Sequence, residues 1–238
     1  MEYLHWDQIT ITDFSDKAVA DLYDRGYVFT RLGRGIMQQT RSVRIDLSEW
    51  KPTSENRRIM KKVEGITLTT TKLPLALAPV GSPASYHWSL GKLAKDFYEK
   101  KFGPGIFSAQ KVKEMLTDAK TSNFNALLSY KVTDKNAGYA ICYQSSGAAT
   151  SKSSLLHYSY PFYDLTAVDD GSMTKDIGLG MMLLAIASAK DLDLEYIYLG
   201  SLQRPTDTYK LQFKGLEWFD GTAWRTDIDK AKEVIGGK

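Results

Sequence analysis

The sequence predicts an α+β fold built on a mixed, mainly antiparallel sheet, and three observations carry that prediction. Runs rich in Leu, Ile, Tyr and Phe at residues 125–132, 139–143 and 155–162 follow one another across turns, as the strands of an antiparallel meander do. Apolar residues recur three or four apart over 87–101, 108–117 and 175–190, the spacing of helices that bury one face. A strand at 195–199 then leads to a short helical segment and a hairpin turned by Asp220-Gly221. With 238 residues and 43% hydrophobic side chains, the chain can fill one large core or two small ones.

The elements can be justified in order. Ser15 caps a helix over DKAVADLYDR that Gly26 ends, and strands follow at 27–30 and 41–47. In the second strand Val43, Ile45 and Leu47 point inward while Arg44 and Asp46 point outward. Pro52 and Ser54 open a helix, SENRRIMKK, whose Ile59 and Met60 face the core and whose Arg57, Arg58, Lys61 and Lys62 make a broad positive face. A strand at 66–71 precedes KLPLALAPVGSPAS, whose three prolines mark a loop. That loop divides a small basic N-terminal subdomain, residues 1–72, from the main domain, residues 73–238. Gly103 ends the helix over 87–101, Ser108 caps the next, and Gly236-Gly237 ends a last helix over 228–234. On the short segment after 199, Tyr209 with Phe213 and Lys210 with Lys214 form adjacent stripes of one helix.

Composition excludes several classes of function. No apolar run approaches the roughly 20 residues of a membrane helix, and MEYLHWDQITITD lacks a basic stretch followed by an apolar one, so a soluble, cytoplasmic protein is expected. A single cysteine, Cys142, rules out an internal disulfide and any Cys-x-x-Cys site, and His5, His87 and His157 form no ligand motif; no metal is expected. Charge is uneven. Residues 25–62 hold ten Lys and Arg against three acids, a local +7 in a chain of net +3, so the remainder is net −4. An arginine-heavy cluster of that kind attracts a polyanion, with strong salt dependence.

Over about residues 65–226 the order of elements resembles the acyltransferase fold of the GNAT superfamily, and two motifs agree with it. Lys175-Asp176-Ile177-Gly178-Leu179-Gly180 is similar to that superfamily's phosphate-receiving loop, where orphan backbone N–H groups and the positive end of a helix meet an anion. The bare Gly-x-Gly spacing fits a tight helix start packed against a strand equally well. YKLQFKGL at 209–216 resembles the Tyr-x-x-x-Gly-Phe segment whose tyrosine can protonate the leaving group, with Gln212 in place of the glycine.

A narrower resemblance is to the arginyl-tRNA and leucyl-tRNA protein transferases. RIDLSEWKPTSENRRIMKK is similar to their Arg- and Pro-Ser-containing signature through Arg44, Trp50, Lys51, Pro52, Ser54, Arg57 and Arg58. FYEKKFG, YPFYDL and DIGLG resemble further family segments, and YIYLGSLQRPTDTYKLQFKGLEW supplies Tyr198, Leu199, Gly200, Tyr209, Lys210, Phe213, Lys214 and Glu217. The chain departs from the pattern where the family carries cysteine pairs. GIMQQT stands there, so Met37 and Gln38 are expected to fill the space by packing or hydrogen bonding.

The resemblance implies an enzyme that adds an amino acid of the arginyl or leucyl type to the N-terminal amine of a protein or peptide marked for degradation. Charged tRNA is then the co-substrate and no cofactor is required. An aminoacyl ester is already activated, so alignment, oxyanion stabilisation and departure of a ribose hydroxyl suffice, which suits a sequence with no Ser-His-Asp or Cys-His arrangement. Tyr209, Glu217 and Asp164 are the catalytic candidates, with Asp169 and His157 as other bases; His157 shares a strand face with Leu155, Ser159 and Pro161 and reads as structural. Arg44, Arg57, Arg58, Lys61, Lys62, Gly178, Gly180, Tyr198, Gly200, Lys210 and Lys214 are the candidates for holding tRNA and substrate. Two alternatives remain: a coenzyme A-dependent N-acyltransferase using acetyl-CoA, which leaves the basic arm unexplained, and a non-catalytic tRNA-binding relative.

Overall fold

The computed structural model describes residues 3–77, 85–133, 135–145 and 154–236. Its strands are β1 (Asp7–Thr10), β2 (Tyr27–Phe29), β3 (Ile36–Gln39), β4 (Ser42–Asp46), β5 (Ile66–Lys72), β6 (Ala126–Val132), β7 (Lys135–Gln144), β8 (Leu155–Tyr163), β9 (Tyr196–Ser201), β10 (Leu216–Phe219) and β11 (Trp224–Arg225). The α-helices are α1 (Asp16–Asp24), α2 (Ser54–Lys62), α3 (Trp88–Phe102), α4 (Ala109–Thr117), α5 (Leu165–Asp169), α6 (Ile177–Asp191) and α7 (Ile228–Gly236), and a 3₁₀ helix covers Pro205–Gln212. Eight strands form a sheet in the order β11-β10-β4-β9-β8-β7-β6-β5, and β1-β3-β2 form a second, small sheet. β8 and β9 pair parallel through Leu155–His157 and Tyr196–Tyr198, whereas β11–β10, β10–β4, β4–β9, β7–β6 and β6–β5 pair antiparallel. The expected α+β fold with a mixed, mainly antiparallel sheet is therefore the one observed. No helix among the described residues is long and apolar enough to cross a membrane.

The chain divides into two compact units. The first comprises Met1–Asn56, Gln144–Ser159 and Ile186–Lys238. In it Ser15 caps α1 by accepting from the Ala18 N–H, and Gly26 takes φ +80° directly after the helix. β4 does not expose one face as its alternation predicts: Val43 and Ile45 are fully buried, and Arg44 on the other side is only 6% exposed. Aromatic rings cover that second face, which a one-strand pattern cannot register. β1 and β3 are not predicted by the sequence, because DQIT and IMQQ are short and lack two-residue alternation. Met37 is nonetheless fully buried on the central strand of the small sheet, and Gln38 Nε2 donates to Gln8 Oε1 at 2.9 Å, so packing and hydrogen bonding do occupy the GIMQQT segment.

The helix expected to align Tyr209 with Phe213 and Lys210 with Lys214 is corrected. The 3₁₀ helix ends at Gln212, and Phe213 is already extended at φ −89°, ψ 140°. With three residues per turn, Tyr209 and Lys210 point to different environments: Tyr209 is 45% exposed and Lys210 is buried.

The second unit comprises Arg57–Tyr143 and Tyr160–Ala185. His87 and Ser108 cap α3 and α4 through their side chains, and Gly103, at φ +98°, ends α3. The short α5 is not predicted; five residues carry too little periodicity, and its signal is the Asp164 cap alone. Of the proline-rich loop over 72–85, residues 78–84 lie outside the described residues, as do 146–153 of the loop expected between β7 and β8.

α2 begins at Ser54 as expected, and Thr53 caps it. The Asn56 N–H donates to Thr53 Oγ1 at 3.2 Å and Asn56 Oδ1 accepts from the Thr53 N–H at 3.1 Å, so each side chain satisfies the other's backbone. Asn56 is fully buried and also donates through Nδ2 to Gln212 Oε1. Asn56→Ala is expected to cost about 1–3 kcal/mol, because it removes a buried side chain and strands the part-buried Thr53 N–H and Gln212 Oε1. Thr53→Ala is expected to cost less, about 0.5–2 kcal/mol. Urea unfolding of the two variants checks the order.

Candidate functional site

In the second unit the start of α6 and the cationic end of α2 meet. Asp176 directly precedes α6; its backbone N–H donates to Thr174 Oγ1 at 3.3 Å and its carbonyl accepts from the Gly180 N–H at 2.8 Å. Its Oδ2 takes Lys62 Nζ at 2.6 Å and lies 3.8 Å from Arg58 Nη2, with all three side chains partly exposed. A carboxylate therefore stands at the positive end of the helix, with two cations on its outer side. Both glycines there are needed for close approach. A Cβ on Gly180 would fall 2.5 Å from Val63 Cγ1, and one on Gly178 would lie 3.1 Å from the Tyr163 ring and hydroxyl. Arg57 and Lys61 are exposed on the same helix end.

Tyr163 connects this corner to a cavity of about 580 Å³, whose lining includes Phe97, Tyr139, Tyr163, Asp164 and Thr166. Phe97 and Tyr163 pack with centroids 4.7 Å apart. Burial raises the pKa of Tyr163 and pushes that of Tyr139 up to about 12, so both phenols stay protonated at neutral pH and can donate. Asp164 caps α5: Oδ1 accepts from the Thr166 N–H at 2.8 Å, the Thr166 hydroxyl at 2.5 Å and the Ala167 N–H at 3.4 Å. All three bonds use Oδ1 and none among the described residues uses Oδ2. At the rim Lys92 pairs with Asp96, and Lys100 with Asp169. Tyr139 escapes sequence reasoning because it belongs to no motif; its only signal is a tyrosine in a strand beside the one that ends at Tyr163.

The remaining candidates lie in the first unit. Arg44 is enclosed: its guanidinium carbon sits 4.0 Å from the ring centroids of both Tyr196 and Trp224. Nε donates to Glu217 Oε2 at 2.6 Å, and Nη1 donates to Asp24 Oδ1 at 2.8 Å and to the Tyr198 hydroxyl at 3.3 Å. Burial opposes its charge, but Tyr198, Asp24 and Glu217 outweigh burial and its pKa rises. Arg44 is thus committed inside the chain rather than turned outward, and Glu217 is its counter-ion. Tyr198 is buried with its pKa raised chiefly by that burial.

Gly200, at φ +78°, faces Lys210: a Cβ there would stand 3.9 Å from Nζ. Lys210 donates to the Ser201 carbonyl at 2.8 Å, and burial lowers its pKa. Its ammonium is turned toward β9 rather than toward solvent, whereas Lys214 is exposed. His157 lies 2.9 Å from the Tyr23 hydroxyl through Nδ1, and burial, with a smaller contribution from Lys210, holds its pKa down to about 3.

Two solution measurements follow. Because the folded pKa of His157, about 3, lies below the ordinary 6.5, the unfolded chain binds a proton between these values that the folded chain does not. Stability is lost as pH falls from 6.5 toward 3, and nothing is contributed above 6.5. His157→Asn is expected to flatten the stability profile between pH 6 and 4 by about 1.4 kcal/mol per pH unit relative to the parent, in urea unfolding at each pH. Arg44→Ala leaves Glu217 unpaired and an aromatic slot empty, and is expected to lower unfolding free energy by about 3–5 kcal/mol; an exposed phosphate-binding arginine would cost almost nothing.

No protein-family model matches the sequence, and no curated protein matches it. Among solved structures, L-PGS from Bacillus licheniformis matches with a TM-score of 0.46 at 12% identity, over 93% of this chain and 71% of that one. The C-terminal (DUF2156) domain of a proposed lysylphosphatidylglycerol synthetase from Agrobacterium fabrum matches with a TM-score of 0.42 at 9% identity, over 82% of this chain and 54% of that one. Likenesses this distant carry no argument about activity.

Proposed function

We propose that this chain is an aminoacyl-tRNA-dependent transferase that moves an amino acid, of the arginyl or leucyl type, onto the N-terminal amine of a protein or peptide. The observation that carries the reading is Tyr163. Its ring rests on Gly178 at the start of α6, where Arg58 and Lys62 gather, and it also lines the cavity that holds Asp164. A cationic, phosphate-compatible corner and a chamber with an acid and two neutral phenols are thus neighbours within one compact unit.

The chemistry needs little more. The neutral amine attacks the ester carbonyl, the tetrahedral oxyanion collapses, and the bond to the ribose oxygen breaks. Asp164 Oδ2, unused by the α5 cap, is the acceptor for the amine proton. Tyr163 or Tyr139 donates to the oxyanion or the departing oxygen. Among the three catalytic candidates, Asp164 is favoured because it lines the cavity of about 580 Å³, whereas Glu217 is bound to Arg44 and Tyr209 does not line that cavity. Arg57, Arg58, Lys61 and Lys62 supply the surface for the RNA backbone, which a small coenzyme would not require.

The test mixes the protein with tRNA charged with labelled amino acids and with peptides of varied N-termini, and in parallel with acetyl-CoA. Transfer from charged tRNA is expected, and Asp164→Asn should slow it by about 10²–10⁴-fold without weakening tRNA binding. Replacing Arg58 and Lys62 together should reduce the salt slope of tRNA binding by about two. Turnover of acetyl-CoA with no transfer from tRNA would replace this reading with a coenzyme A-dependent one, and tRNA binding without either reaction would leave only a binding role.

A further inference from the structure

The first unit contains a second cavity, of about 400 Å³, at a distinct set of residues centred on Trp6, Arg41 and Trp218. Arg41 is the unexplained group in it. It is partly buried, yet among the described residues its side chain makes a single, long hydrogen bond, Nη1 to the Leu202 carbonyl at 3.5 Å, and no carboxylate among them pairs with it. Among the described residues, the other two cations lining the cavity are paired, and its two carboxylates accept backbone N–H groups. Arg225 pairs with Asp220 at 2.6 Å and Lys230 with Glu233 at 3.2 Å. Asp220 Oδ1 accepts from the Thr222 and Ala223 N–H groups, and Asp227 Oδ1 from those of Asp229 and Lys230. One partly buried guanidinium is left with most of its donors facing the cavity, where they are open to an entering anion.

Beside it stands an indole that is already in place. Trp6 is 41% exposed, and it rests on Gly221, where an added Cβ would come within 3.3 Å of the ring. It also meets Phe219 edge-on, with centroids 6.2 Å apart. Trp218 closes the cavity from the buried side, its Nε1 donating to the Asp227 carbonyl at 2.9 Å. We propose that this cavity binds a single nucleotide, with its phosphate on Arg41 and its base stacked on Trp6. The phosphate uses the planar fork of donors, the base uses the fixed indole face, and the volume is within the range of small-ligand sites. A free mononucleotide and an unpaired residue of an RNA strand share this chemistry. The inference needs no aminoacyl ester and stands apart from the transfer reaction.

The test is calorimetric titration of the whole chain with CMP, AMP and a single-stranded oligoribonucleotide, for the parent, Arg41→Ala, Arg41→Lys and Trp6→Ala. Saturable binding is expected, weakened at least about tenfold by Arg41→Ala and by Trp6→Ala, and less by Arg41→Lys, which keeps the charge but loses the fork. An oligonucleotide affinity well above that of the mononucleotides, with a steep salt dependence, identifies an RNA residue as the occupant; equal affinities identify a free nucleotide. Absence of saturable binding of all three probes, or affinities unchanged in both Arg41→Ala and Trp6→Ala, overturns the proposal. Should thermal melting show that Arg41→Ala does not fold, Trp6→Ala decides, since that ring is 41% exposed.

Discussion

The guanidinium of Arg44 imposes the strictest physical condition in the first unit, because a charge this deeply enclosed is tolerated only when every side of it is matched. Two rings close its faces, two carboxylates and a phenol take its donors, and these partners come from α1, β9, β10 and β11. Strand β4 is thereby locked between β10 and β9 by side chains as well as by its backbone ladder. Removing any one partner leaves the rest of the cluster uncompensated in a low-dielectric setting, which makes the arrangement specific even where its net contribution to stability is small.

Around this cluster the unit concentrates its buried polar groups. His157 and Tyr23 share a hydrogen bond and an edge-on ring contact, and Tyr23 also packs edge-on against Tyr198. The parallel ladder between β8 and β9 ends at His157 and Tyr198, although both strands continue. A histidine kept neutral by burial can hold such a position at any pH above its depressed pKa.

In the second unit the same economy of space governs α6. Its glycines allow Val63 and Tyr163 to approach, and that approach sets Arg58 and Lys62 against Asp176. Close packing accounts for Gly178 and Gly180, and Arg58 and Lys62 meet Asp176 beside that contact. Asp176 tempers the positive end of the helix while fixing the two basic side chains in place, so that a phosphate would meet cations already ordered.

Much of this was legible in the residues. Ser15, His87, Ser108 and Gly103 sit where local chemistry puts helix ends, and the meander strands follow their apolar runs, because these signals depend on neighbours within a turn or two. The basic face of α2 and the glycine start of α6 were visible separately as a charge cluster and a spacing. That they adjoin was not visible, since about 115 residues separate them in the chain. Nor could the strand pattern show that Arg44 is roofed by Tyr196 and Trp224, that the Tyr209 segment winds as a 3₁₀ helix and divides its tyrosine from its lysine, or that Arg41 has no counter-ion among the described residues beside Trp6. The amino-acid sequence by itself determined the fold class, the Ser15 and Ser108 caps and the uneven distribution of charge, all of which arise from short-range conformational and hydrophobic preferences. Tertiary structure alone decided which cations are consumed inside the molecule and which remain for a ligand, because that depends on burial and on partners brought from distant parts of the chain.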